Sequence, residues 1–143
     1  MGNIQESVKA QAGYYPLDEV KAVELAGGVE LKLVSGEKAM MSFVTLQPGS
    51  VVPLHSHPHE QLGTMLEGEL TLYMGSLNPE DGRLIRKGDT YVIPGGVLHG
   101  ARATGSTPCV ALDVFSPIRE DYVEKFQVQH GQAVAGHAES KES

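Results

Sequence analysis

The chain has no tryptophan, one cysteine and few aromatic residues, and its basic side chains are outnumbered by acidic ones. Each shortage excludes something. Cys109, the lone cysteine, cannot form a disulfide within the chain and suits a reducing compartment. A chain of 143 residues does not need one, since a domain of this size hides roughly two-thirds of the surface its unfolded chain exposes. No apolar run approaches the ~18 residues of a membrane span. The opening MGNIQESVKAQ has neither the basic start nor the apolar stretch of a secretory leader. With 11 Lys and Arg against 18 Asp and Glu, the formal charge is −7. That balance argues against nucleic acid or an anionic membrane as a partner. We expect a soluble, cytoplasmic, single-domain protein.

Glycine and proline are plentiful: 17 and 8 residues respectively, cutting the middle of the chain into short pieces. The pieces are rich in β-branched and apolar residues and end at turn residues, which predicts strands. They are VELKLV (29–34), AMMSFVTLQ (39–47), QLGTMLEG (61–68), ELTLYMG (69–75), RLIR (83–86), TYVIP (90–94), VLHGARA (97–103) and CVALDVF (109–115). Short strands at this spacing, without helices between them, predict an all-β sandwich or barrel. REDYVEKFQ (119–127) is the one expected helix, acidic at its start and with Lys125 late. Polar, small-residue flanks predict a mobile arm over 1–13 and a mobile tail over 127–143, around a domain of 14–126. His130 and His137 fall in that tail, and no role is assigned to them.

The chemistry concentrates in LHSHPHEQ, residues 54–61. On a strand, side chains at i, i+2 and i+4 share a face. His55, His57, His59 and Gln61 have one parity and Glu60 the other, with Pro58 disturbing regular pairing. If His55 and His57 point inward, Gln61 is better placed to join them than Glu60. About forty residues on, GDTYVIPGGVLHG (88–100) sets a Gly–Asp turn, a strand, a Pro-Gly-Gly turn and then His99.

Together these segments resemble the two motifs of the cupin superfamily. Gly49, His55, His57, Gln61 and Gly68 match the first motif, and Gly88, Pro94, Gly96 and His99 the second. The second motif normally closes on Asn, where this chain has Ala103. The resemblance implies a jelly-roll barrel (a double-stranded β-helix) with a short C-terminal helix. It also implies a divalent metal held by His55, His57, Gln61 and His99. All four ligands are uncharged, so the ion would keep its full charge and favour a small anionic substrate. Imidazole suits Zn, Ni, Fe or Cu, and an amide oxygen also admits Mn.

CVALDVFSPIREDY extends the likeness to the small pectin-degradation cupins of the KdgF type. On a strand, Cys109, Ala111, Asp113 and Phe115 share a face. An inward Asp113 would be costly without a nearby cation or a proton-transfer role. Arg119 could curl over the barrel mouth and offer a bidentate fork to a carboxylate. The resemblance implies ring opening of 4,5-unsaturated monouronates, with Asp113, Phe115 and Arg119 as the functional residues. A metal-dependent dioxygenase and a non-catalytic small-acid binder are the alternatives. Open sheet edges want covering, so we expect a homodimer in which residues 14 to 34 help bury one.

Overall fold

The computed structural model describes residues 8–139. Along the chain come β1 (Val8–Ala10), β2 (Ala22–Ala26), β3 (Val29–Ser35), β4 (Met40–Leu46), β5 (Val51–His55) and β6 (Glu60–Glu67). β7 (Glu69–Met74), β8 (Gly82–Arg86), β9 (Thr90–Ile93), β10 (His99–Arg102) and β11 (Cys109–Ser116) follow, then helix α1 (Glu120–His130) and β12 (His137–Glu139). A six-stranded sheet runs β2-β3-β4-β11-β6-β9 and a four-stranded sheet β5-β10-β7-β8. Neighbouring strands pair antiparallel throughout both. Alternating burial along β3, β4 and β11 turns one side chain in two toward the other sheet. Leu31, Leu33 and Leu46 from one sheet share a single core with Leu70, Leu72 and Ile85 from the other. The result is a jelly-roll barrel with a short C-terminal helix. Among the described residues, no helix is long and apolar enough to cross a membrane.

Every predicted strand is present, with ends moved by one or two residues. Four strands were not anticipated: β1 and β12 in the flanks, and β2 and β5 in the two large sheets. β2 reads AVELA, whose alanines and glutamate suit a helix as well as a strand. It is a strand because Gly27–Gly28 reverses the chain onto β3, with Gly28 at φ +78. β5 contains Pro53, which an edge position tolerates, and β5 is the edge of its sheet.

The flanks also depart from expectation. Helix α1 continues to His130 and stops where Gly131 takes the left-handed conformation at φ 69. Val134 is buried, and β12 pairs with β1. So the segments 8–13 and 127–139, assigned to a mobile arm and tail, are built into the structure. The rest of those segments, 1–7 and 140–143, lies outside the described residues.

Helix α1 also changes the expectation about sheet edges. β2 is an edge strand, and its open side is met by the chain's own helix. The Glu24 N–H donates to Gln129 Oε1 at 3.1 Å, and Gln129 Nε2 donates to the Glu24 carbonyl at 3.0 Å. His130 Nε2 lies 2.7 Å from the Ala22 carbonyl. At Glu24 a side-chain amide thus takes the place of a neighbouring strand. Gln129→Ala should remove both bonds and cost roughly 1–2 kcal/mol. Thermal melting should show a Tm lower by several degrees.

Candidate metal centre and its cavity

The chain builds the site from two strand ends and a loop. His55 closes β5 and His99 opens β10, and the two face each other in register. His57 lies on the connection between β5 and β6, not on a strand, so strand parity identified it for an incomplete reason. That connection is held by the Pro94–Gly95–Gly96 turn. Gly96 N–H donates to the His57 carbonyl at 2.8 Å. A side chain at Gly95 would collide with the Pro58 carbonyl, so the turn can approach only as glycine.

Three imidazoles converge. His55, His57 and His99 each present a ring nitrogen, and these atoms lie within 4.8 Å of one another. Nδ1 of His55 donates to the Pro53 carbonyl at 2.8 Å, and Nδ1 of His99 to the Val97 carbonyl at 2.8 Å. Carbonyls only accept, so both rings carry their proton on Nδ1 and leave Nε2 free as a ligand. Nδ1 of His57 faces the His59 carbonyl at 3.2 Å, and its Nε2 lies 3.1 Å from Gln61 Oε1. Burial lowers the His57 pKa to about 4, helped by the charge of Arg119 and by His99. Burial lowers His99 as well. Neutral imidazoles are what metal binding requires. The donor set therefore fits a divalent ion, held by three histidine nitrogens with the Gln61 oxygen beside them.

Asp113 adjoins this cluster. It is buried in the middle of β11, with Cys109, Ala111 and Phe115 on the same inward face. Its carboxylate accepts from the Tyr91 hydroxyl at 2.6 Å and from the Gln61 amide. Gln61 is thereby oriented, with its NH₂ toward Asp113 and its oxygen toward His57. Burial raises the Asp113 pKa to about 6, outweighing the hydrogen bonds from Tyr91 and Gln61 and the charge of Arg119. Tyr91 is held protonated, pushed up by burial first and then by the Asp113 charge.

Tyr91 was not anticipated from sequence. On β9 it shares parity with the fully buried Ile93, and Gly63 of β6 lies opposite it. Asp113, Gly63 and Tyr91 are register neighbours across β11, β6 and β9. A Cβ on Gly63 would overlap both the Tyr91 ring and the Asp113 carboxylate. The glycine is the gap through which Tyr91 reaches Asp113.

Phe115 forms a buried wall, its ring edge-on to His57 with centroids 5.6 Å apart. Arg119 does turn inward, and its guanidinium lies 3.9 Å from the Tyr122 ring centroid and 5.0 Å from that of Phe115. The anticipated bidentate fork is engaged within the chain, however. Arg119 Nε and Nη2 donate to the two Asp121 oxygens at 3.0 and 2.7 Å. Nη1 is buried and without a hydrogen-bond partner. Glu60 is exposed and His59 half-buried.

All seven anticipated residues are thus brought together, six of them lining or facing one inner cavity of about 70 Å³. The cavity is continuous in its walls with an outer depression of about 310 Å³, since Leu25, Val52, His55, Arg119 and Tyr122 line both. The inner space takes a few water-sized groups. A larger ligand would place its reacting edge inside and its remainder outside.

Residues 42–115 match the cupin domain family, and the chain belongs to it. The chain is similar to KdgF from Halomonas sp., which superposes with a TM-score of 0.70 at 25% identity, covering 78% of this chain and 99% of that one. The auxin-binding protein ABP19b of Prunus persica is 35% identical over 101 residues, covering 66% of this chain and 46% of that protein. Oxalate oxidase 1 of Hordeum vulgare is 36% identical over 72 residues, 47% of this chain and 36% of the enzyme. The chain therefore spans less than half the length of these two plant relatives.

The buried carboxyl has a measurable signature in metal-free protein. A folded pKa of about 6 against an ordinary 3.8 means that the folded state binds the proton more tightly. Stability is then lost as pH rises from about 4 to about 6, and stays level above. Asp113→Asn removes this loss, so its stability relative to wild type should grow by about 2–3 kcal/mol across that window. Paired melts at pH 4, 5, 6 and 7 measure it, and His57, common to both proteins, cancels from the difference.

Proposed function

We propose that this cupin is a metal-dependent enzyme that opens the ring of 4,5-unsaturated monouronates, giving linear 5-keto-4-deoxyuronates. One observation carries the reading: a buried carboxyl, Asp113, held by the Tyr91 hydroxyl, faces the same cavity as a cluster of neutral ligands. A carboxyl so placed can take a proton from the substrate and return it. The likeness to KdgF supports the same assignment.

A divalent ion held by His55, His57, Gln61 and His99 would supply electrostatic stabilisation of the enolate-like charge that develops as the ring opens. The chain's own residues do the rest. The bond between C1 and the ring oxygen breaks, and the C1 hydroxyl gives up its proton as the aldehyde forms. Asp113 receives that proton and returns it to C4, so the enolate left at C5 becomes the ketone and the reaction is an isomerisation. Tyr91 holds Asp113 through Oδ1 while this happens. Arg119 Nη1 binds the substrate carboxylate, and Phe115 lies against the sugar ring.

The test is loss of the ultraviolet absorbance of unsaturated galacturonate. Asp113→Asn should lower kcat by roughly 10²–10⁴-fold with metal content unchanged. Gln61→Ala should lower metal content, measured by elemental analysis, along with rate. Folded variants that both turn over the substrate as wild type does would overturn the mechanism.

A further inference from the structure

Ser42 is 0% exposed, and its Oγ has no hydrogen-bond partner. It projects from β4 into the inner cavity, beside Asp113 of β11 and with Leu33 of β3 on its other flank. A buried hydroxyl with no partner is unfavourable, and such groups persist where something supplies the missing bond. Val44 and Ala111, on the same cavity wall, show that an apolar residue is accommodated there. Arg119 Nη1 is a second buried, unpartnered group on the same cavity.

The chemistry of the pair Ser42 and Asp113 narrows what can fit between them. The carboxylate only accepts, whereas the serine hydroxyl can donate. A ligand group touching both must donate to Asp113, and Ser42 can either donate to that group or accept from it. A hydroxyl does this. A second carboxylate would be repelled by Asp113, and an ammonium by the Arg119 guanidinium on the same cavity. We propose that Ser42 is a specificity-determining residue that receives a hydroxyl of the ligand, so that the site selects hydroxylated carboxylic acids over acids lacking hydroxyls. The inference rests on the preceding reading for the acid end of the ligand, bound at Arg119, and adds the hydroxyl end.

Calorimetric titration of the full, zinc-loaded chain tests it with two probes, D-galacturonate and cyclohexanecarboxylate. Wild type should bind galacturonate more tightly. Ser42→Ala should weaken galacturonate about 5–10-fold, the worth of one hydrogen bond, and leave cyclohexanecarboxylate within twofold. An unchanged affinity for galacturonate, an equal loss for both acids, or no preference in wild type overturns the proposal. The ligand-free variant should melt at or above the wild-type Tm, because an unanswered hydroxyl has been removed. A Tm lower by several degrees would assign the hydroxyl to the fold and also overturn it. Ring opening is judged separately. If wild type leaves unsaturated galacturonate intact while the selective loss holds, the enzymatic reading falls and the hydroxyl subsite stands.

Discussion

Main-chain carbonyls aim the histidines of this site, and the remaining chemistry depends on that. Pro53 and Val97 each accept the Nδ1 proton of the histidine two residues on. Each bond fixes a tautomer and a ring orientation at once. Because the carbonyls belong to β5 and to the approach to β10, the sheet that sets their positions also sets the ligand atoms. Protonation would destroy the arrangement, and burial opposes it at His57 and His99. Precision here comes from backbone, which moves less than side chains do.

Around that centre the barrel keeps polar groups inside at a cost it offsets in specific ways. Asp113 is stabilised by a hydroxyl and an amide rather than by an ion pair with Arg119, whose own charge is satisfied by Asp121 and two aromatic rings. Separating the two charges leaves each with unfinished bonding capacity toward the cavity. A direct Asp113–Arg119 bridge would have closed it. Polar atoms in a buried row are expensive, and their concentration on one stretch of the six-stranded sheet marks where binding takes precedence over packing.

Much of this was legible in the sequence. Period-two alternation and glycine–proline turns gave the strands, since both follow from local geometry. The histidine pair, Gln61 and His99 were identifiable because loop and turn spacing is local as well. Tyr91 was not, since its role arises only when β9 pairs with β6 across a glycine, a relation between residues 63, 91 and 113 that no local window contains. Ser42 was hidden for the same reason: its neighbour Asp113 is seventy residues away. Gln129 and His130 looked like part of a polar tail, because an edge-capping contact to β2 depends on where the helix lands. The limit was long-range pairing.

One feature reaches beyond the site. β1 and β12 lie side by side, with Val8 opposite Glu139, in a two-stranded sheet separate from the two that hold the histidine cluster. The two ends of the described chain thus emerge together. A short peptide joining them would close the polypeptide into a circle, and new termini could then be opened at an exposed turn such as 78–82. The order in which the strands are synthesised is therefore separable from the shape they make, and the barrel could be rewired without disturbing its interior.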